Sequence, residues 1–333
     1  MVKANAYGLG VRRVAPALWQ AGCRNFFTAN MDGAVMLRAM LPDAHSHVLN
    51  GLLGEGEDDM AANGVIPVLN DLGQIERWSA HARRIERRLP AAIHIDTGMS
   101  RLGLPPYEVE QLAARPELLE GLNVFHVMSH LACADEASHP MNREQLDRFN
   151  RLRATLPAMP ASFANSSGIF LGPDYHLDMV RPGYAVYGGN PTPGRTNPML
   201  PVVTLRAAII QVRDVAPGET VGYGARFTAE RPTRVATIPV GYADGYLRSL
   251  SGRGSARIGD IEVPVIGRVS MDLVTLDISK VPEDRANVGT WVELIWGSHM
   301  LDDLAERAGT IGYELLTALG GRYPRIYRDE AGS

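Results

Sequence analysis

Lys3 follows a short apolar stub and is succeeded at once by the small and polar residues ANAYG. An amine so placed can form an imine with an aldehyde cofactor or a carbonyl substrate. Further along, Asp96, His130, Asn165 and Arg181 each stand at or just beyond the end of a short β-rich run. With Lys3 they make five polar groups at strand ends, where packing alone requires none, and they point to an active site. Each alone has a plainer use. Lys3 could be a solvated surface charge, His130 a satisfied strand-end histidine, Arg181 half of a structural ion pair, Ser166 a helix cap, and Tyr223 an aromatic packed on its own sheet.

The elements that would position these groups follow from the hydrophobic pattern. Up to about residue 190, β-rich runs alternate with segments of helical periodicity, as in βα units and a parallel sheet. Val11, Val14, Ala15, Leu18 and Trp19 keep helical spacing, and Gly22 is placed to end that helix. Counting the stub at Val2 and Lys3, eight strand candidates emerge, the others being NFFTAN, HVLN, VIPVLN, AAIHID, NVFHVMSH, ASFAN and MVRPG. QIERWSAHARRIERRL and REQLDRFNRLRATL read as helices between them. The α/β class this predicts is a (β/α)8 TIM-like barrel over residues 1–193, with chemistry at the C-terminal ends of its strands. After the linker-like GGNPTPGRTNPMLP, residues 194–333 predict a mainly antiparallel β domain. Its strands are LRAAIIQVRDV, VGYGARF, RVATIPVGYA, IEVPVIGRVSMDLVTLDI and WVELIW, with one late helix around LDDLAERAG.

Composition narrows the partners. A net charge of -4 over 333 residues, with no polybasic run, speaks against nucleic acid and membrane surfaces. The two cysteines, Cys23 and Cys133, lie outside any CxxC or Cys/His spacing, so neither a disulfide framework nor a metal site is expected and a reducing, cytoplasmic location fits. No window approaches the roughly 18 apolar residues of a membrane span.

The run VKANAYGLG resembles the cofactor-lysine motif of the alanine racemase family. IDTGMSRLG, SHLACADE, FANSSG, MVRPGYAVYG, VGYGARFT, IPVGYADG, GRVSMD and TIGYE follow in the family's order, so the resemblance spans essentially the whole chain. It implies an isomerase that interconverts L- and D-alanine, for peptidoglycan synthesis or for D-alanine catabolism, with Lys3 carrying pyridoxal 5′-phosphate. Tyr7, Ser166, Tyr313 and the backbone around Gly183 and Tyr184 would hold the phosphate. Arg181 would face the pyridine nitrogen and, by like-charge repulsion, keep it unprotonated. Racemisation needs a base on each face of the α-carbon. The resemblance assigns Lys3 to the D-alanine proton and Tyr223 to that of L-alanine, with His130, oriented by Arg181, coupled to the tyrosine. Lowering a phenol pKa by about 3 units needs about 4 kcal/mol, which nearby positive charge can supply. Arg101 would bind the cofactor's phenolic oxygen and help place the substrate carboxylate, beside Met271 and Asp272. Tyr242 and Tyr313 would narrow the entrance and favour a small side chain. The resemblance further implies a head-to-tail homodimer in which each site borrows Tyr223 from the partner.

Two features depart from the family pattern. Many members carry a carbamylated lysine two residues before the aspartate of DTGM, where this chain has His94; Arg101 is then to be oriented by an anion or by Asp96, and altered substrate affinity is expected. Members also usually have roughly three dozen residues before the cofactor lysine. Only Met1 and Val2 precede it here, so a truncated first barrel strand with an unpaired edge is expected, and an upstream segment could carry a leader. Other readings are a racemase of broader range, a decarboxylase of shared architecture, whose second-domain cysteine motif is missing, and a noncatalytic cofactor carrier, which usually lacks the β domain.

Overall fold

Short runs buried on both faces build a parallel sheet from the first half of the chain. β1 (Asn25–Thr28), β2 (His45–Val48), β3 (Ile66–Leu69), β4 (Leu89–His94), β5 (Leu122–Met128) and β6 (Ala161–Ser162) lie side by side in that order, each parallel to the next. The structure, a computed structural model, describes residues 1–297 and 300–328. Leu69, Ile93 and Val127 point to one face, where they pack with Ile75, Trp78 and Phe149 of the helical layer. Val68, Ala92 and Met128 point to the other and pack with Phe27 and Ile66.

Six of the eight expected strands form; the first and last are reduced to single pairings. Val2 N donates to Phe27 O at 3.0 Å and the Met1 nitrogen to Pro182 O at 2.9 Å, while Ser162 and Met179 form one parallel bridge. The curled, TIM-like barrel is thus completed by isolated hydrogen bonds. The reasons are local: the chain enters a turn at Lys3, and Pro182 has no N–H to give a ladder.

Side chains cap the helices that open at Met31 and Leu72. Asn30 and Asp71 accept the amides of Gly33 and Gln74 at 3.3 and 2.8 Å, opening the helices Met31–Met40 and Leu72–Arg84. His81, Arg83 and Arg84 close the latter, complementing its dipole. Trp78 on that helix is fully buried and donates Nε1–H to Pro90 O at 3.0 Å; burial of such a side chain contributes on the order of 3 kcal/mol.

The chain divides into two compact units. Met1–Ala6, Gly10–Ala185 and Pro191–Thr196 form the first; Tyr7–Leu9, Val186–Asn190 and the chain from Asn197 onward form the second. The second unit contains β7 (Leu205–Ala208), β8 (Gln211–Val215), a small hairpin of β9 (Thr220–Val221) and β10 (Phe227–Thr228), β11 (Thr233–Ile238), β12 (Ser255–Ile258), β13 (Ile261–Ile266), β14 (Val274–Asp277) and β15 (Trp291–Ile295). Seven of these make an antiparallel sheet in the order β7-β15-β12-β13-β14-β11-β8. The run LRAAIIQVRDV splits because Ile209 and Ile210 donate to different strands' neighbours, Thr290 O and Thr237 O, both at 2.9 Å. Only these two residues join the sheet's edge strands, so the sheet must curl. VGYGARF is not the expected strand: Gly222 and Gly224, at φ 78° and 68°, turn the chain into a 3₁₀ turn at Tyr223–Ala225. A strand at β12 and a second late helix, Gly312–Ala318, accompany the expected helix Met300–Ala308. Among the described residues no helix is long and apolar enough to cross a membrane.

Candidate active site

After Lys3 the backbone turns left-handed. Ala4 (φ 52°, ψ 47°), Asn5 (55°, 48°), Ala6 (54°, 54°) and Tyr7 (φ 53°) all lie in a region that costs an L-residue roughly 1–2 kcal/mol. Local hydrogen bonds hold part of this turn: Ala6 N to Val2 O and Gly10 N to Asn5 O, both 2.9 Å. The Asn5 side chain accepts Val11 N at 2.9 Å, satisfying the first amide of the helix Val11–Gln20. Lys3 itself is half-buried, and burial, helped by the charge of Arg101, pushes its ammonium pKa down. That favours the free amine needed by a nucleophile or base.

Arg181 is buried, and its guanidinium is solvated by neutral acceptors: Nη1 donates to Ser162 Oγ at 2.5 Å, and Nη2 to Ser129 O at 2.5 Å and Phe163 O at 3.3 Å. Among the described residues no carboxylate pairs with it, which goes against the ion-pair reading. Burial lowers its pKa to about 10, which leaves it charged at neutral pH, and among the described residues no carboxylate compensates that charge. His130 lies beside it, with Nη2 3.4 Å from Nδ1, and is pushed down to about 3 by burial first and then by Arg181, Arg101, His94 and Lys3. Gln145 fixes the His130 loop, donating to His130 O at 3.0 Å and Thr97 Oγ1 at 3.1 Å while accepting Ala132 N at 2.9 Å.

His94, the last residue of β4, is held by Asn70, whose Nδ2 donates to Leu49 O and Val68 O at 2.9 Å each. Those two carbonyls orient the amide, so Oδ1 is the atom 2.8 Å from His94 Nδ1 and must accept from it. Burial, Arg181 and Arg101 bring His94 down to about 4 against the opposing pull of Asp96. A neutral ring with its proton on Nδ1 leaves Nε2 as an acceptor. Asp96 does not orient Arg101, as its Oδ1 accepts Gly98 N and Ser100 N at 2.9 and 3.1 Å. Arg101 is exposed and makes no hydrogen bond or ion pair among the described residues.

Ser166 is the first residue of the short helix Ser166–Ile169, and the cap is Asn165, which accepts Gly168 N at 2.8 Å. Ser166 Oγ instead accepts Gly183 N and Ala185 N at 2.9 and 3.2 Å, which leaves its own O–H to donate elsewhere. Tyr184, beside them, is buried.

In the second unit Tyr7 is buried, with its ring centroid 4.7 Å from that of Tyr187 and 6.0 Å from that of Tyr313. Burial, and then Tyr313, raise its pKa well above the usual phenol range, so it remains an O–H donor. Met271, Asp272 and Tyr242 are brought together by backbone bonds from Tyr242 N to Ser270 O, 3.1 Å, and Ala243 N to Met271 O, 3.0 Å. Two residues missed from sequence fasten these loops. Asp244 accepts Gly241 N at 2.9 Å, and Arg322 bridges Asp244, 3.2 Å, and Asp272, 2.7 Å. Tyr223 lies on its 3₁₀ turn and is 72% exposed.

The family model described as alanine racemase, N-terminal domain, matches residues 1–191, and that of alanine racemase, C-terminal domain, matches residues 202–327. The chain belongs to the alanine racemase family. A relative in Agrobacterium fabrum, a catabolic alanine racemase, is 52% identical over 98% of this chain and 84% of its own length. An alanine racemase of Rhodospirillum rubrum is 50% identical over 98% and 88%. Among solved structures, the alanine racemase of Bartonella henselae with covalently bound pyridoxal phosphate superposes with a TM-score of 0.94 at 42% identity, over 98% of this chain and 91% of that one. The biosynthetic alanine racemase of Pseudomonas aeruginosa gives 0.91 at 36% identity, over 98% and 91%. For a racemase of this family the donor set is apt: an amine biased toward its free form, a serine and a buried tyrosine that can each donate to an anion, and a guanidinium that no carboxylate among the described residues compensates.

Proposed function

We propose that the chain interconverts L- and D-alanine with two bases, Lys3 of one protomer and the partner's Tyr223, in a head-to-tail homodimer that uses pyridoxal 5′-phosphate. The observation that carries this reading is Lys3, a half-buried amine of lowered pKa presented on a left-handed turn. Pyridoxal 5′-phosphate, when bound, supplies a delocalised acceptor for the negative charge left by removal of the α-proton.

The residues divide the remaining work. Lys3 would hold the cofactor, and its Nζ moves a proton on one face of the substrate α-carbon. Ser166, Tyr7 and Tyr313 bind the phosphate with hydroxyl donors, alongside the backbone near Gly183 and Tyr184. Arg181 opposes protonation of the cofactor's ring nitrogen. His130, neutral and carrying its proton on Nε2, donates to the Tyr223 oxygen and favours its ionised form. Arg101 and the loop of Met271 and Asp272 receive the substrate carboxylate, and Tyr242 with Tyr313 excludes large side chains. The exposure of Tyr223 supports the shared site, since its own subunit leaves the phenol free to be used by another. The enzyme acts in the cytosol, where Cys23 and Cys133 stay reduced; recovery of the native protein with cell membranes would contradict this.

Purified holoprotein is expected to convert either enantiomer of alanine and to exchange its α-proton with D2O, with serine, lysine and ornithine much poorer. Cofactor bound at Lys3 without α-proton exchange would instead mark a carrier and sink the reading.

A further inference from the structure

Tyr7 ends the left-handed run that follows Lys3, and its two successors are tied to the C-terminal part of the chain. Arg325 donates to Gly8 O from Nε at 3.1 Å and from Nη2 at 2.7 Å, and Nη2 is shared with Leu319 O and Gly320 O at 3.1 Å each. The Tyr327 hydroxyl donates to Leu9 O at 2.7 Å. Gly8 also abuts this part of the fold so closely that, at φ 81°, a Cβ would run into the Leu316 carbonyl oxygen. A left-handed run of non-glycine residues persists only where its surroundings over-determine it. The bonds inside the turn engage Val2, Asn5, Ala6 and Gly10. Its far end, at Gly8 and Leu9, is held by Arg325 and Tyr327, which no feature of the reaction requires. A planar fork can reach several carbonyls at once, and a lysine ammonium cannot reproduce it.

We infer that Arg325, with Tyr327, is a positioning residue that latches the turn of the cofactor lysine through the carbonyls of Gly8 and Leu9, and thereby sets how firmly the cofactor is retained. The inference rests on the reading of Lys3 as the cofactor lysine. It gives the last residues of the described chain a role in the site without any contact to the reacting atoms.

The test follows loss of pyridoxal 5′-phosphate from the holoenzyme into cofactor-free buffer, by the visible absorbance that stays with the protein, for the parent and for R325A, R325K and Y327F. R325A is expected to lose the cofactor about tenfold faster or more, R325K at an intermediate rate and Y327F a few-fold faster, since a bond from a charged donor is worth about a factor of ten or more and one from a neutral hydroxyl about a factor of ten at most. With saturating cofactor, kcat should fall by less than retention does. Should R325A fail to fold, Y327F decides: release at the parental rate overturns the latch, as does parental retention by a folded R325A. Borohydride reduction of the parent is a separate readout. A parent that takes no label on Lys3 fails the reading of the site, whereas a labelled parent whose variants retain cofactor equally well fails the latch.

Discussion

Nη2 of Arg181 lies 3.4 Å from Nδ1 of His130, and the direction of that contact settles where the imidazole keeps its proton. A guanidinium only donates, so Nδ1 accepts and Nε2 carries the hydrogen. Arg181→Gln removes the cation that, after burial, does most to hold His130 down at about 3. His130 is then expected to titrate at higher pH, seen in the NMR shifts of its ring, and kcat to fall roughly a hundredfold or more as acid–base support is lost. A ring titration identical to the parent's would remove the electrostatic part of this account.

Acid should destabilise the fold early. His47, His94 and His126 are buried and His130 is half-buried, and all four are depressed, by desolvation first and with Arg181 contributing at each; His94 stands at about 4 and His126 and His130 at about 3, against an ordinary 6.5. The unfolded chain binds these protons below pH 6.5 while the folded chain does not. Stability is therefore fully present above 6.5 and is lost as pH falls toward 4, with a slope of up to roughly 1.4 kcal/mol per pH unit for each histidine. Urea midpoints should drop between pH 7 and 5, and His126→Phe should reduce the slope by about one proton. Midpoints that ignore pH over that range would contradict the assignment.

How much of this was legible beforehand depended on distance along the chain. Lys3, His130 and Arg181 stand out in the sequence because a polar residue closing a short apolar run is conspicuous, and helices such as Leu72–Arg84 because apolar spacing is a local signal. The left-handed turn was not: ANAY contains one residue, Asn5, that tolerates such backbone, and right-handed geometry is the default. Arg325 and Gly8 are 317 residues apart, and no local pattern joins them. VGYGARF was misread as a strand although its two glycines carried the turn signal. Asn70 closes the run VIPVLN, but its role is set by two carbonyls, Val68 O on its own strand and Leu49 O across the sheet, and only the second lies beyond local pattern.

With its proton on Nδ1, His94 keeps Nε2 as a neutral acceptor within the electrostatic reach of Arg101, and we expect it to help place that guanidinium when substrate binds. Asn70→Ala removes the acceptor of the Nδ1 proton and with it the fixed tautomer, and His94→Lys adds a cation where the charges of Arg181 and Arg101 both act. Both are expected to raise the KM for alanine by about three- to tenfold and to change kcat less, because the loss falls on substrate binding. Kinetics indifferent to His94→Lys would show that Arg101 is positioned by something else.

Tyr223→Phe keeps the ring and removes the oxygen. If the phenol serves the L face and Lys3 the D face, racemisation should fall by roughly 10²- to 10⁴-fold while exchange of the D-alanine α-proton with D2O falls far less than that of L-alanine. Equal losses for both enantiomers would mean one base serves both faces. The shared site makes a second demand. A dimer of one Lys3→Ala chain and one Tyr223→Phe chain contains a site with both bases intact, because the site whose lysine survives borrows its tyrosine from the other chain. Unfolding and reassembling an equal mixture of the two inactive variants should therefore recover about a quarter of the parental activity, since half the dimers are mixed and each has one working site. If Lys3 and Tyr223 met within a single chain, the mixture would stay as inactive as its components.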